Sequence, residues 1–321
     1  MTILLDAVAT AGDRLVAASS GRIAFDPRVA LSRHDDLALQ EPGIWSANRH
    51  CRMIACCDGW IAVSLARKDD LDVVPAWTGA SFDDEPWQAI ARSAAFRTAA
   101  DMVASGAALH LPVARVGEAL PLSVSDLRAS RKLNGRVLDL SALWAGPYCG
   151  GLLAEAGLDV VKIDSLDRPD STAVYLPKLD KRLNGRKKRR QLPIDAATLG
   201  GSISTARVLI TSARPHALAR LGLTEEALFA RNPDLLWIAI TSHGWSGDKA
   251  MRVGFGDDCA AAGGLVEWED GEPHFLGDAV ADPLTGLTAA TLALEALSAE
   301  KAGLLDISLA GTSACFAEAI G

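Results

Sequence analysis

Hydrophobic and polar positions divide this chain into two regimes. Residues 53–65, MIACCDGWIAVSL, hold two apolar runs of strand length broken at Asp58-Gly59, which predicts a tight hairpin. Apolar residues then recur at helical spacing, weakly over 68–76 and more clearly over 85–98 and 96–104. Gly106 ends that run, and 108–116 predicts another strand. Residues 1–130 therefore predict a small α+β domain, and the polar, aperiodic stretch 126–135 (DLRASRKLNG) predicts a linker.

Beyond the linker the pattern changes. Residues 136–140 predict a buried strand, 146–157 a helix, 158–164 a strand and 206–210 a strand. Helices over 217–221 and 225–230 and a strand over 235–240 follow. Strands alternating with helices across short loops predict an α/β domain with a Rossmann-like parallel sheet over 136–321. There is no internal repeat and no low-complexity tract.

Composition narrows the class. The 321 residues suit two domains of roughly 100–200 residues each. A net charge of -8 argues against general nucleic-acid affinity, which makes any local basic cluster more informative. The longest apolar run, over 287–297, is interrupted by Thr and Glu and falls short of the ~20 residues of a membrane span. The N-terminal segment has no basic region ahead of its apolar residues, so a cytoplasmic protein is expected. The six cysteines read as reduced thiols. Cys51, Cys56 and Cys57 cluster near His50, but adjacent Cys56-Cys57 point to opposite faces of a strand. Buried strand cysteines, and no metal, are expected there.

Three motifs carry chemistry. In VLDLSALWAGPYCGGLLAEAGLDVVKID, Gly146 permits a sharp turn, and backbone N–H groups near Trp144–Tyr148 would face a negative group. Asp164 stands where a dinucleotide fold keeps a ribose-binding acid, but Gly146, Gly150 and Gly151 do not spell GxGxxG. In KRLNGRKKRRQLPID, seven of the ten residues 181–190 are basic; this run reads either as a solvated surface loop or as a phosphate clamp. In LGDAVADPLTGLTAATLALEAL, Asp282-Pro283 predicts an N-cap followed by Pro at the first helical position. A carboxylate there, kept charged by N–H donors, can also serve as nucleophile or base, with Asp278 as competing candidate.

In this order, RVLDLSALWAGPYCGGLLAEAGLDVVKID, LNGRKKR, ARVLITSARPHALARLGL, NPDLLWIAITSHGWSG, GFGDDCAAAGGL and ADPLTGLTAATLALEAL resemble class III coenzyme A transferases, the formyl-CoA and carnitine CoA-transferase family. The resemblance implies transfer of CoA from an acyl-CoA to a carboxylic acid, with Asp282 as the nucleophile that passes through an aspartyl-CoA thioester. It implies oxyanion and acyl contacts at Trp144, Ala145 and Gly146. CoA contacts fall on Arg168, Arg186, Lys187, Arg220 and Phe255, and the assembly implied is an intertwined homodimer.

The chain also departs from the family. RMIACCDGWIAVSLARKDDLDVV and LHLPVARVGEAL resemble a small domain that follows the catalytic aspartate in the family, whereas here it comes first. The order is permuted, or two half units are fused. The family's glycine-rich loop has no counterpart, Ser212-Ala213 replaces Asn-Phe, and Trp144 replaces a side-chain amide. In the related α-methylacyl-CoA racemases a histidine occupies the position of Phe255, and Phe cannot move a proton. A racemase, a nucleotide-binding oxidoreductase and a catalytically silent CoA-binding protein are the alternatives.

Overall fold

The longest helix explains how the body is built. In a computed structural model that describes residues 2–124, 126–131 and 134–321, the Ala/Leu/Gly/Thr-rich segment Ala281–Ser298 is apolar on nearly all sides. Such a helix must be covered all round, and here two parts of the chain cover it. In chain order the first elements are α1 (Thr2–Ala18), α2 (Pro27–Ala30), β1 (Cys51–Cys56), β2 (Gly59–Ser64), α3 (Lys68–Thr78), α4 (Pro86–Ala94), α5 (Ala99–Ala108) and β3 (Val113–Arg115). Next come β4 (Arg128–Ala129), β5 (Val137–Asp139), α6 (Ala145–Glu155), β6 (Val160–Ser165), α7 (Thr172–Tyr175), α8 (Pro177–Asn184), β7 (Lys188–Leu192), α9 (Ala196–Thr205) and β8 (Val208–Thr211). The remainder is α10 (Pro215–Arg220), α11 (Glu225–Arg231), β9 (Leu236–Thr241), α12 (Gly256–Ala262), β10 (Val266–Glu269), β11 (Glu272–Phe275), α13 (Ala281–Ser298), β12 (Lys301–Ser308) and α14 (Leu309–Ile320).

The main sheet has seven strands in the order β4-β12-β9-β8-β5-β6-β7, all parallel except the short β4. Strand order reverses at β5, so the crevice beyond its C-terminal end is where an open α/β sheet receives ligands. Continuous apolar runs such as LWIAIT in β9 are buried throughout, as a parallel sheet covered on both faces requires. Helix α13 crosses α6 closely, because a side chain at Gly286 would meet the Ala145 carbonyl at 2.6 Å. No helix among the described residues is long and apolar enough to cross a membrane.

The α/β class is as expected, and five details differ. The first 130 residues do not form one unit. Strands β1–β3 with α3–α5 have their own core around Ile61, Ile90 and Met102, but Leu4, Val8 and Leu15 of α1 join the core that contains α13. Each such buried side chain contributes roughly 1.5–3 kcal/mol. Within the expected linker, β4 pairs antiparallel with β12, while residues 132 and 133 lie outside the described residues. The basic run is not a loop: it ends α8 and forms the edge strand β7. The strand expected over 108–116 is confined to Val113–Arg115, since α5 runs on to Ala108. Among the clustered cysteines, Cys51 is buried but Cys57 is exposed at the hairpin turn.

Candidate active site

The turn after β5 is held from every side. Ser141 donates its backbone N–H and hydroxyl to Asp139, and Lys162 donates to the Ser141 carbonyl. Ala142 N donates to Ser212 Oγ at 2.9 Å, and Leu143 N donates to Asp170 at 3.2 Å. Leu143 sits in the left-handed region at φ 68° and delivers Trp144 to the start of α6. A side chain at Gly146 would collide with Ser141, so this glycine is there for close approach.

Facing this turn is the start of α13. Ala279, also left-handed at φ 46°, precedes it. Non-glycine residues held there cost of order 1–3 kcal/mol and persist where the surroundings fix them. Asp282 is not the N-cap: Val280 caps the helix, and Asp282 lies in its first turn without a capping bond. The expectation that N–H donors keep it charged fails for the same reason. Burial pushes the Asp282 carboxyl up to about 7, against the opposing pull of Arg33 and with help from Asp257, Asp278 and Asp258.

Those neighbours form a network that the sequence did not announce. Arg33 binds Asp278 through Nε at 2.5 Å and Nη2 at 2.9 Å. Asn48 Nδ2 donates to both Asp257 and Asp278 at 2.9 Å. Asp257 accepts from Ala279 N at 2.7 Å, and Asp258 accepts from Ser64 Oγ at 2.7 Å. Burial raises Asp257 to about 6, with the Asp278 charge adding to it, and burial raises Asp258 to about 7. Arg33 also lies over the Trp144 ring, 5.2 Å from its centroid. Arg33, Asn48, Asp257 and Trp144 from this network line a cavity of about 190 Å³. Its wall includes Asp282, Trp144, Phe255 and Gly256 from the second half of the chain and Arg33, Asn48, His50 and Ser64 from the first. Gly256 is required there, because a side chain would run into Asp282 and the Ala279 carbonyl.

Of the residues expected from sequence, Asp282, Trp144 and Phe255 share this cavity, with Ala145 and Gly146 buried directly behind Trp144. Lys187 is not a phosphate contact. Its ammonium is fully buried and donates to Asp139 at 2.7 Å, Pro147 O at 2.6 Å and Asn184 Oδ1 at 2.7 Å. Gly150 leaves room for this pair beneath α6. Arg186 is exposed, 4.0 Å from Glu155. Arg168 and Arg220 are exposed as well. Arg214, which the sequence reading passed over, is held below the usual arginine range by burial and by the charges of Arg67 and Arg168. His216 is held down by desolvation and by Arg214 and Arg220. Arg67 in turn lies over the Phe255 ring, 5.6 Å from its centroid. Arg67 and Arg168 are thus near enough to act on Arg214, and Arg214 and Arg220 on His216. Behind the Phe255 wall of the cavity, His243, Asp258 and Cys259 bring one potential metal-ligand atom each within 4.8 Å of one another.

Comparison with known proteins adds a family. The CoA-transferase family III profile matches residues 133–319. The chain is 31% identical over 192 residues to the succinyl-CoA–D-citramalate CoA-transferase of Chloroflexus aurantiacus, covering 54% of this chain and 47% of that one. It is 30% identical over 172 residues to the succinate–glutarate CoA-transferase of Agrobacterium fabrum, covering 47% and 43%. Crystal structures of the Mycobacterium tuberculosis protein Rv3272 share the fold; one superposes with a TM-score of 0.51 at 25% identity over 58% of this chain and 57% of the other. The chain spans about half the length of the curated relatives it matches.

Proposed function

Because the chain belongs to CoA-transferase family III, we propose that it moves coenzyme A from an acyl-CoA to a carboxylic acid, with Asp282 as nucleophile. The observation that carries this reading is a carboxylate on a cavity wall whose side chain has no hydrogen-bond partner among the described residues, flanked by other carboxylates. Such a group is poised to form a bond rather than to cap a helix.

In the proposed sequence a carboxylate oxygen of Asp282 attacks the thioester carbonyl carbon. The C–S bond breaks, leaving a mixed anhydride and CoA thiolate. The thiolate attacks the Asp282 carbonyl, the donor acid leaves as carboxylate, and an aspartyl-CoA thioester remains. The acceptor carboxylate attacks that carbonyl and expels the thiolate, forming a second anhydride. The thiolate then takes the acceptor's acyl carbon and frees Asp282. No net proton is gained or lost, so the site needs oxyanion donors more than a base. Backbone N–H groups of Trp144, Ala145 and Gly146, at the start of α6 and in a rigidly tied turn, suit that role. Arg168 and Arg220, with Arg67, Arg214 and Phe255, form the proposed path for the CoA phosphates. Arg186 and Lys187 drop out of that set. The cytoplasmic, homodimeric state expected from sequence belongs to the same proposal.

The test is a screen of acyl-CoA donors against carboxylic acids, with CoA exchange read by mass spectrometry. Hydroxylamine should trap an adduct on Asp282 in the wild-type protein with acyl-CoA present, and Asp282→Asn should reduce exchange to background. An Asp282→Asn protein that transfers at the wild-type rate overturns the proposal. His50 on the cavity wall supports a second reading, proton transfer at Cα. Rapid deuterium uptake by a 2-methylacyl-CoA in D2O, without CoA exchange, would replace the first reading with that one.

A further inference from the structure

Where α12 meets the loop after β9, three unlike donors converge. His243, Asp258 and Cys259 each present one ligand-type atom, and these atoms lie within 4.8 Å of one another. Some point is therefore within about 2.8 Å of all three, a short closure from the roughly 2.0–2.3 Å at which zinc binds nitrogen, oxygen and sulfur. Asp258 is oriented through Oδ1, which accepts from Ser64 Oγ at 2.7 Å and from Phe255 N at 2.9 Å. Its Oδ2 is left to the Cys259 thiol, 3.8 Å away. Among the described residues that thiol otherwise reaches only the Ser242 carbonyl, at 3.6 Å. His243 Nε2 is buried with no partner, a state that calls for a ligand. Gly254 keeps the space open: a side chain there would strike Cys259 Sγ at 2.6 Å and Asp258 Oδ2 at 2.8 Å, so both atoms border one spot. The nearby cations Arg252 and Lys249 are taken up by Glu118, at 2.6 and 3.6 Å.

We propose that His243, Asp258 and Cys259 form a zinc site that ties the loop after β9 to α12. One imidazole nitrogen, one thiolate and one carboxylate suit zinc, whereas calcium and magnesium take oxygens. Binding exchanges the Cys259 thiol proton, and the Asp258 proton where present, for the ion, so a buried dication meets two anions and a neutral ring. The Ser64 hydroxyl and the Phe255 N–H fix the carboxylate from behind, as outer-shell donors do at metal centres. Phe255, Gly256 and Asp257, which line the Asp282 cavity, immediately precede Asp258, so the ion braces that wall. The site makes no use of Asp282 and stands independently of the transfer reading.

Wild-type protein freed of metal by a chelator, equilibrated with zinc and desalted, should keep about one zinc per chain by elemental mass spectrometry. Cobalt(II) in its place should show a thiolate-to-metal charge-transfer band, and X-ray absorption of the zinc form should show a single sulfur in the ligand shell. Cys259→Ser should abolish the cobalt band and lower zinc affinity by at least about a hundredfold. Cys57→Ser, at the exposed hairpin turn, should change neither. Ser64→Ala leaves all three ligands in place and covers the case in which a ligand variant does not fold. Its zinc Kd, by competition with a chelator, should rise about 10–100-fold. Wild-type protein that keeps less than about a tenth of a zinc per chain overturns the proposal. So does a ligand shell with no sulfur or more than one, a cobalt band that survives in Cys259→Ser, or a Kd for Ser64→Ala within about twofold of wild type.

Discussion

Two buried charge clusters lie on either side of the Trp144 turn, and they are built on opposite plans. Below it, Asp139, Asp164 and Asp170 meet Lys187, Lys162 and Arg189, three anions against three cations. Burial works to raise Asp139, but Lys187 and Lys162 beside it win and hold it below the usual carboxylate range. Above the turn, Arg33 pulls on Asp282 against Asp257, Asp258 and Asp278. The balanced cluster sets a cation beside each of its anions and holds the turn in place. The unbalanced one leaves a carboxylate without partners at a cavity. Asp139, fully buried, and Asp282, partly buried on a cavity wall, are thus pushed in opposite directions by what surrounds them.

Breaking the balanced cluster should have the largest effect on stability. Lys187→Met strands Asp139 without its cation and should cost about 3–5 kcal/mol, read as a fall in the urea midpoint. Adding Asp139→Asn should recover part of that loss, because it removes the unpaired charge while keeping an acceptor for Ser141.

The unbalanced cluster should respond in the opposite sense. Asp257, Asp258 and Asp282 are raised to about 6–7, so between about pH 4 and 7 the folded chain binds more protons than the unfolded one. Their contribution to stability is present at low pH and is lost as pH rises through those values. Asp282→Asn should therefore be more stable than wild type at pH 8, by about 1–3 kcal/mol, and little different at pH 4. A melting-temperature series across that range reads the crossover. Wild-type transfer should rise with pH over the same interval as Asp282 ionises.

The smallest effect is expected at the edge strand. Arg186→Ala should change stability by about 0–0.5 kcal/mol and leave the CoA dissociation constant within twofold, whereas Arg168→Ala or Arg220→Ala should weaken CoA binding. Equal losses at all three positions, measured by calorimetry, would return the basic run to the binding surface.

The parallel sheet was legible in the sequence because it depends on local pattern, apolar strands at regular intervals, and so was the place of Asp282 near the start of an apolar helix, though not its lack of a capping bond. Helix α1 was passed over although Leu4, Val8 and Leu15 recur at helical spacing, because nothing local shows that its apolar face meets α13. Strand β7 was hidden because its residues 188–191 are all exposed and its cations reach carboxylates on other elements, such as Asp159, Asp164 and Asp180. Arg33 and Asn48 are single polar residues in an aperiodic stretch, and nothing nearby marks their meeting with Asp278. Asp257 was in view within its motif, but its burial and its bonds depend on residues far away. Lys187 looked like its basic neighbours, and only the space left by Gly150 separates it from them.

The Arg33–Asp278 pair joins residues 245 positions apart. On a ribosome adding roughly 5–20 residues per second, the arginine is made about 12–50 s before its partner exists. During that interval the segment carrying it has no anion to close upon, and the N-terminal helix has no α13 to cover. The cavity wall that Arg33 and Asp282 share is thus completed only after the start of α13 has been made, long after the arginine that faces it.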